Sequence, residues 1–166
     1  KRRTIHIFSK RSVPGDVIEK SICAANQAPC HRKTFPWRFT SLGMNKRELL
    51  FELQLTLKFG DNPIDAPNKK KIREKFLNPS HLIIASQLLE TEAVSKTEDY
   101  ASCCCAIQNL MLSLTADGVG SKWSTGVITK TKNTYKIVEI DPLKEEIIGF
   151  IWAGYGESSS KIRRPS

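Results

Sequence analysis

Long apolar runs are missing from this sequence of 166 residues. Its longest apolar stretch, around residues 147–153, falls far short of the roughly 20 residues that a bilayer-spanning helix requires. The first residues show no pattern of a secretory signal peptide. These absences predict a cytoplasmic protein with no membrane partner.

Several catalytic signatures are also missing. The sequence has no GxxxxGK[ST] phosphate loop, no GxSxG nucleophile turn and no HExxH zinc motif. Its three histidines, at positions 6, 31 and 81, do not have the spacing of metal ligands. We therefore expect neither a standard nucleotide loop, nor a serine-hydrolase site, nor a metal site.

The cysteines do not form a framework. There are five, at positions 23, 30, 103, 104 and 105, and no CxxC motif occurs. Three consecutive side chains on a helix point in different directions, so the triplet predicts neither one metal site nor a set of disulfides. The pattern indicates a reduced protein with small buried thiols, which agrees with a cytoplasmic location.

Acidic residues are scarce relative to basic ones. The chain has 26 Lys and Arg but 17 Asp and Glu, which gives a formal net charge of +9. Such an excess is typical of proteins with an anionic partner, which can be nucleic acid, a membrane surface or a phosphate-bearing small molecule. Charge alone does not choose among these, and a set of solvated surface lysines gives the same total.

The pattern of apolar residues predicts one domain over residues 1–166 that alternates helices with strands. Asn45 is the predicted cap of the second helix, the basic third helix is expected at the surface, and residues 89–99 are expected to be a mobile connection. This order indicates a three-layer α+β or α/β domain. The predicted helices cover about 14–26, 46–59, 66–77, 100–117 and 134–140, and the predicted strands cover 37–42, 81–87 and 145–155.

Two further segments suggest a ligand. Basic clusters at both chain ends, Arg2-Arg3-Thr4 and residues 161–164, have the donors that suit one phosphate, although two frayed tails have the same composition. The segment "GVGSKWSTG" allows the backbone to approach a flat ligand beside Trp123, or it is a helix end followed by a core Trp.

Taken in order, four motifs resemble those of the FMN-dependent nitroreductase family. They are Arg2-Arg3-Thr4 with Phe8, the stretch "AANQAPCHRKTFPWRF", the helix with its continuation "SCCCAIQNLMLSLTADGVGSKWSTG", and the end "IIGFIWAGYGESSSKIRRPS". Each motif is weak alone, and the match extends over nearly the whole chain. The loop most resembles that of small, compact bacterial members. Lys33 and Phe35 differ from the family's usual Asn and Gln, and Thr4 replaces its usual Ser.

The resemblance implies an α+β fold with three layers, in which helices flank a central, mostly antiparallel sheet. It implies an obligate homodimer with FMN at the interface, reduced by NAD(P)H and reoxidised by a nitroaromatic, quinone or similar acceptor. No catalytic side chain is required, because the flavin N5 atom carries the chemistry. The implied cofactor-binding residues are Arg2, Arg3, Thr4, Pro29, Cys30, His31, Lys33, Lys122, Trp123, Ser124, Arg163 and Arg164.

Within that set the resemblance assigns different roles. Arg2, Thr4 and either Arg163 or Arg164 are expected to hold the phosphate. Arg3 and Lys122 are expected to face the pyrimidine end of the flavin, and the loop with His31 is expected to reach the flavin of the other subunit. Two alternatives remain: a flavin-binding protein of this fold with little turnover, and a basic nucleic-acid-binding protein. The motif order favours the enzyme, with no nucleic-acid partner.

Overall fold

The computed structural model describes residues 2–90 and 92–157. At its centre lies a sheet of four strands: β1 (Trp37–Ser41), β2 (His81–Leu88), β3 (Gly120–Ser124) and β4 (Glu145–Gly154). The strand order is β1-β2-β4-β3, and all three neighbouring pairs are antiparallel. The two short strands β1 and β3 therefore form opposite edges.

Five α-helices cover the two faces of the sheet. Helices α1 (Gly15–Ala25) and α4 (Ala93–Ala116) pack on one face. Helices α2 (Met44–Phe59), α3 (Ala66–Leu77) and α5 (Lys132–Val138) lie on the other, with a short 3-10 helix at Val127–Lys130. These three layers confirm the predicted α+β class.

Alternation along β4 explains why both faces need cover. Ile151 and Ala153 belong to the core against α1 and α4, whereas Phe150 and Trp152 belong to the core against α2 and α3. Successive side chains of a strand point to opposite faces, so a central strand without polar alternation must be buried on both. The run "IIGFIWAG" has this composition.

Two predictions about the elements were wrong, and one strand was not predicted. Asn45 does not cap α2, which begins one residue earlier and follows Gly43 without a side-chain cap. Residues 93–99 are not a loose connection but the first turns of α4, which bury Ser95 and Asp99. The segment from Gly120 to Ser124 is strand β3, because it pairs with β4 on one side.

Helix α3 is more deeply embedded than its basic composition indicates. Asp65 accepts a 2.7 Å hydrogen bond from the Asn68 amide and so caps its start. Ile72 and Phe76, four residues apart, are buried against α2 and the sheet. The helix therefore presents lysines on either side of an anchored apolar stripe.

The cysteines differ in exposure, and only part of the expected burial is found. Cys103 is buried, Cys30 and Cys104 are half-buried, and Cys23 and Cys105 are exposed. Burial, with smaller effects from Cys104 and Asp99, raises the pKa of Cys103 to about 12, so this thiol stays protonated at neutral pH.

Among residues 2–90 and 92–157, no helix is long and apolar enough to cross a bilayer.

Candidate functional site

The N-terminal segment lies along the free edge of β3. Thr4 forms a parallel bridge with Ser121, and the Ile5 amide donates a 3.1 Å hydrogen bond to the Ser121 carbonyl. A Cβ atom at Gly120 would lie 2.5 Å from Ile5 Cγ1, so any larger residue would force the Ile5 side chain to move. The bridge brings Thr4 and its neighbours beside the segment that contains Lys122 and Ser124.

The two described chain ends also pair with each other. The Ser9 amide donates to the Tyr155 carbonyl at 2.9 Å, and the Glu157 amide donates to the Ile7 carbonyl at 3.1 Å. The chain thus leaves β4 directly beside the segment that contains the first basic cluster. Arg163 and Arg164, the tail residues predicted to meet a phosphate, lie outside the described residues.

A cavity of about 760 Å³ opens between this N-terminal segment and helices α2 and α3. This volume is within the usual range of sites for small molecules and cofactors. Lys122 contributes to its wall from β3, on the same sheet face as its register partner Trp152. Its other lining residues include His6, Phe8, Gln54, Lys58, Lys71 and Lys75.

The cavity carries an excess of positive charge, since Lys58, Lys71, Lys75 and Lys122 line it with one carboxylate, that of Glu74. Within the described part of the chain, no carboxylate lies within 4 Å of the ammonium groups of Lys58, Lys75 or Lys122. Glu74 on the same helix lies 4.0 Å from Lys70 instead. Such a cavity has the electrostatics of a site for an anionic ligand.

The inner lysines are held against apolar surface. The Lys75 ammonium lies 5.5 Å from the ring centroids of both Phe76 and Trp152. Burial, and then the charges of Lys122 and Lys58, lower the pKa of Lys75. Burial also lowers the pKa of Lys122. Both groups would be stabilised by a bound negative charge.

A smaller cavity of about 280 Å³ shares Gln54, Lys58 and Lys75 with the first. We call it the annex. It lies between α2 and the segment from Ser124 to Ile128, above Phe150 and Trp152. The Trp152 indole donates a 2.8 Å hydrogen bond to Ser124 Oγ and fixes this floor.

The loop before β1 is anchored to α4 of its own chain. Thr34 Oγ1 donates a 2.6 Å hydrogen bond to buried Asp99, and Arg32 binds Glu92 and Ser95 at 3.0 and 2.8 Å. Lys33 and Phe35 have positive φ values of 55° and 45°. The anchors therefore hold a backbone shape that non-glycine residues rarely adopt.

The predicted site residues of this loop differ in exposure. Pro29, His31 and Lys33 are exposed, and Cys30 is half-buried. Burial raises the pKa of the Cys30 thiol, but hydrogen bonds from Thr34 and the Phe35 amide outweigh it, so the pKa lies below its ordinary value.

This loop is far from the cavity of the same chain. Lys122 pairs with Trp152 and through it with Leu82, whereas Trp37 at the end of the loop pairs with Gln87. Three strand spacings across the sheet and five residues along it separate the two positions by roughly 20 Å. One chain therefore does not bring the loop and the cavity together.

Comparison with known proteins identifies the family. The model of the nitroreductase family matches residues 1–155. The chain belongs to this family. It is 28% identical over 177 residues to the Bacillus subtilis protein named "Putative NAD(P)H nitroreductase YfhC", an alignment that covers 98% of this chain and 84% of that one.

Solved structures of nitroreductases share the fold. A nitroreductase-like family protein from Bacillus cereus superposes with a TM-score of 0.79 and 22% identity, over 99% of this chain and 87% of that chain. A nitroreductase with bound FMN from Bacteroides fragilis gives a TM-score of 0.74 and 20% identity, over 99% and 89% of the two chains. At these identities the likeness concerns the fold.

The structure brings some of the predicted site residues of this nitroreductase-family chain together and separates others. Thr4, Lys122 and Ser124 lie at or near the cavity and annex, with Arg2 and Arg3 directly before Thr4. The Trp123 side chain packs on the opposite sheet face, against the core with α1 and α4.

Sequence reasoning missed Lys58 and Lys75. The available signal for Lys75 was its position in α3. Residues 71 and 75 directly precede the buried pair at 72 and 76, so they border the anchored stripe. For Lys58, in the last turn of α2, the sequence offered no signal.

Proposed function

We propose that this chain is an FMN-dependent NAD(P)H oxidoreductase that passes electrons to a nitroaromatic, quinone or similar acceptor. The observation that carries the proposal is the cationic cavity beside the N-terminal segment, in a member of the nitroreductase family. A phosphate and an electron-accepting ring that gains negative charge on reduction both suit a cavity in which lysines outnumber carboxylates. The cavity fits FMN on these grounds.

The chain's own residues would bind and polarise the cofactor. Arg2, Thr4 and Arg163 or Arg164 would hold the phosphate through charge-assisted hydrogen bonds. Lys122 and Arg3 would oppose negative charge at the ring, and Lys75 joins them because it lies on the same cavity wall. When bound, FMN supplies the hydride chemistry, so the protein needs no acid or base of its own.

The overall reaction balances without a further reactant. NAD(P)H, a proton and a quinone give NAD(P)⁺ and a hydroquinone. With a nitro compound, the same two electrons and two protons give a nitroso compound and water. NAD(P)H is the only source of electrons.

The working unit would be a homodimer with two shared sites. Pro29, Cys30, His31 and Lys33 would approach the cofactor of the partner subunit. Support comes from the roughly 20 Å between this loop and the cavity of its own chain, estimated from strand spacing and register. A loop anchored at one sheet edge can serve a site at the other edge only across an interface.

An absorbance spectrum tests the assignment. The purified protein, reconstituted with FMN and desalted, should be yellow and should bleach under anaerobic conditions when NADH or NADPH is added. Chromatography of the heat-released cofactor should give FMN and not FAD. Yellow protein that neither nucleotide bleaches would favour a flavin-binding protein with little turnover. Colourless protein with salt-sensitive nucleic-acid binding would overturn the proposal.

A further inference from the structure

The opening of the annex is bordered by exposed apolar side chains. Val127 is 72% exposed and Leu57 is 38% exposed, and both line the annex. Thr125 and Gly126 complete this side. Exposed apolar side chains at the rim of a concave surface are typical of a ligand contact. The annex thus offers an apolar rim of Leu57 and Val127, and Phe150 and Trp152 lie beneath it almost fully buried.

Two lysines line the annex, and Lys58 is the more exposed of them. Lys58 is exposed, lies next to Leu57 in α2 and lines both the annex and the main cavity. Its ammonium lies 5.1 Å from the Phe59 ring centroid, and no carboxylate of the described residues pairs with it. Lys75 and Lys122 are further inside and more buried. The rim therefore combines apolar contact with one accessible cation.

We propose that the electron acceptor of this protein is an aromatic compound that carries an acidic group. The aromatic ring occupies the annex against Leu57 and Val127, and the acid faces Lys58. This inference rests on the proposed function, since the annex serves an acceptor only if the neighbouring cavity holds FMN. Neutral acceptors of the same shape fit the annex but lack the ion pair.

A matched pair of probes isolates the charge. 4-Nitrobenzoate and 4-nitrobenzamide have the same ring and nitro group, and only the first is an anion at pH 7. We expect the oxidised FMN-loaded protein to bind 4-nitrobenzoate about tenfold more tightly, measured by equilibrium dialysis at low salt. The preference should shrink as salt is raised from about 0.02 to 0.5 M, because Lys58 is exposed to solvent.

Variants assign the preference to the rim. Lys58→Gln should remove the preference for the acid and leave the dissociation constant of the amide within about twofold. The control Lys136→Gln removes an equal charge from α5, in a different surface depression, and should retain the preference. Turnover of both probes, normalised to their reaction with free reduced FMN, should show the same selectivity.

The outcomes separate this inference from the proposed function. A protein that holds FMN and is bleached by NAD(P)H, but binds the acid and the amide equally, would overturn the acceptor class and leave the oxidoreductase intact. The same applies if Lys58→Gln weakens FMN binding but keeps the acid preference, since Lys58 would then serve the cofactor. A protein that binds no FMN overturns both.

Discussion

Arg47 is a buried cation whose partners are all neutral. It is 4% exposed, and its guanidinium donates to the carbonyl groups of Phe76, Pro79 and Ser80 at the end of α3. These carbonyls have no helical partner, so the arginine closes the helix in place of a cap. It joins α2 to the residues that enter β2.

Replacing Arg47 should therefore destabilise the fold. Arg47→Met leaves up to three buried carbonyl groups without a donor, and we expect the free energy of unfolding to fall by about 3 kcal/mol. Urea denaturation followed by circular dichroism measures this. The control is Arg73→Met, which replaces an exposed arginine on α3 and should change the free energy of unfolding by less than about 0.5 kcal/mol. Equal losses in both variants would contradict the capping role.

Lys75 has the opposite effect on stability: its partly buried charge destabilises the folded protein when no FMN is bound. Its pKa is lowered by burial and by Lys122 and Lys58, so the charged form is disfavoured in the folded chain. Lys75→Met should raise the melting temperature of the FMN-free protein by about 2 °C or more. The same variant should bind FMN at least about tenfold more weakly, measured by fluorescence titration.

The sign of the pH dependence follows from the lowered pKa. The unfolded chain keeps its Lys75 proton to higher pH than the folded chain, so the penalty is full below the folded pKa and disappears as pH rises towards 10.5. The stability advantage of Lys75→Met should thus shrink between neutral and alkaline pH. An advantage that grows with pH would show that burial of the charge is not its cause.

At the scale of elements, the start of α4 and the loop before β1 form one unit. Thr34 gives Asp99 its hydrogen bond, while Asp99 Oδ2 has no partner among the described residues. The first turns of α4 are polar because they form hydrogen bonds and ion pairs with the loop before β1, and not because they face solvent. Residues of this kind lack the apolar period that reveals a helix in a sequence.

Removing the Thr34 hydroxyl should release the loop. In Thr34→Val the buried Asp99 carboxylate loses its donor, and we expect about 2 kcal/mol less stability and faster amide exchange over residues 29–36. Hydrogen–deuterium exchange with mass spectrometry measures the second effect. Thr97→Val, on the exposed side of the same helix, is the control and should leave this exchange unchanged. Unaltered exchange in Thr34→Val would show that the loop does not depend on this bond.

The sequence predicted some elements well and missed others for physical reasons. Helix α1 and strand β2 have strong local patterns, and both were found within one or two residues of their predicted bounds. Strand β3, "GSKWS", has little strand propensity, and it is extended because β4 and the N-terminal segment flank it. Neither pairing leaves a local pattern in the sequence, because both join distant residues, Thr4 with Ser121 and Trp123 with Ile151 for example.

The same limit applies to the candidate site. Thr4 and Lys122 were predicted as cofactor-binding residues through family motifs. The bridge between Thr4 and Ser121 places them near each other, and their binding role stays a prediction. Lys58 was missed because a lysine near a helix end has many ordinary roles. Only the packing of α2 against α3 brings it to the cavity.

For the whole molecule, the shared site is testable by mixing two variants. Arg3→Ala and His31→Ala should each impair the enzyme. If a site takes Arg3 from one chain and His31 from the other, a mixed dimer holds one site with both residues intact. Activity should then return in part after subunit exchange, measured as NAD(P)H oxidation.

The alternative arrangement gives a different result in the same experiment. If both residues serve the same chain's site, every site in the mixture keeps one defect, and activity stays at the level of the separate variants. Exchange is verified independently, with two differently tagged chains recovered together. That result would remove the shared site and leave the family membership standing.

The order of strands in the sheet has a consequence for synthesis. Strand β4 follows β3 in the chain, yet it lies between β2 and β3, and Gly156, two residues after it, pairs with Phe8 of the N-terminal segment. Until β4 emerges, β3 has no neighbouring strand within the sheet. Thr4 likewise cannot form its bridge until Ser121 has been made. The nascent chain therefore carries β3 without a partner strand until β4 has been translated, whereas β1 and β2 can already pair. Lys122, which lines the main cavity from β3, gains its partner in the sheet only once β4 has been made.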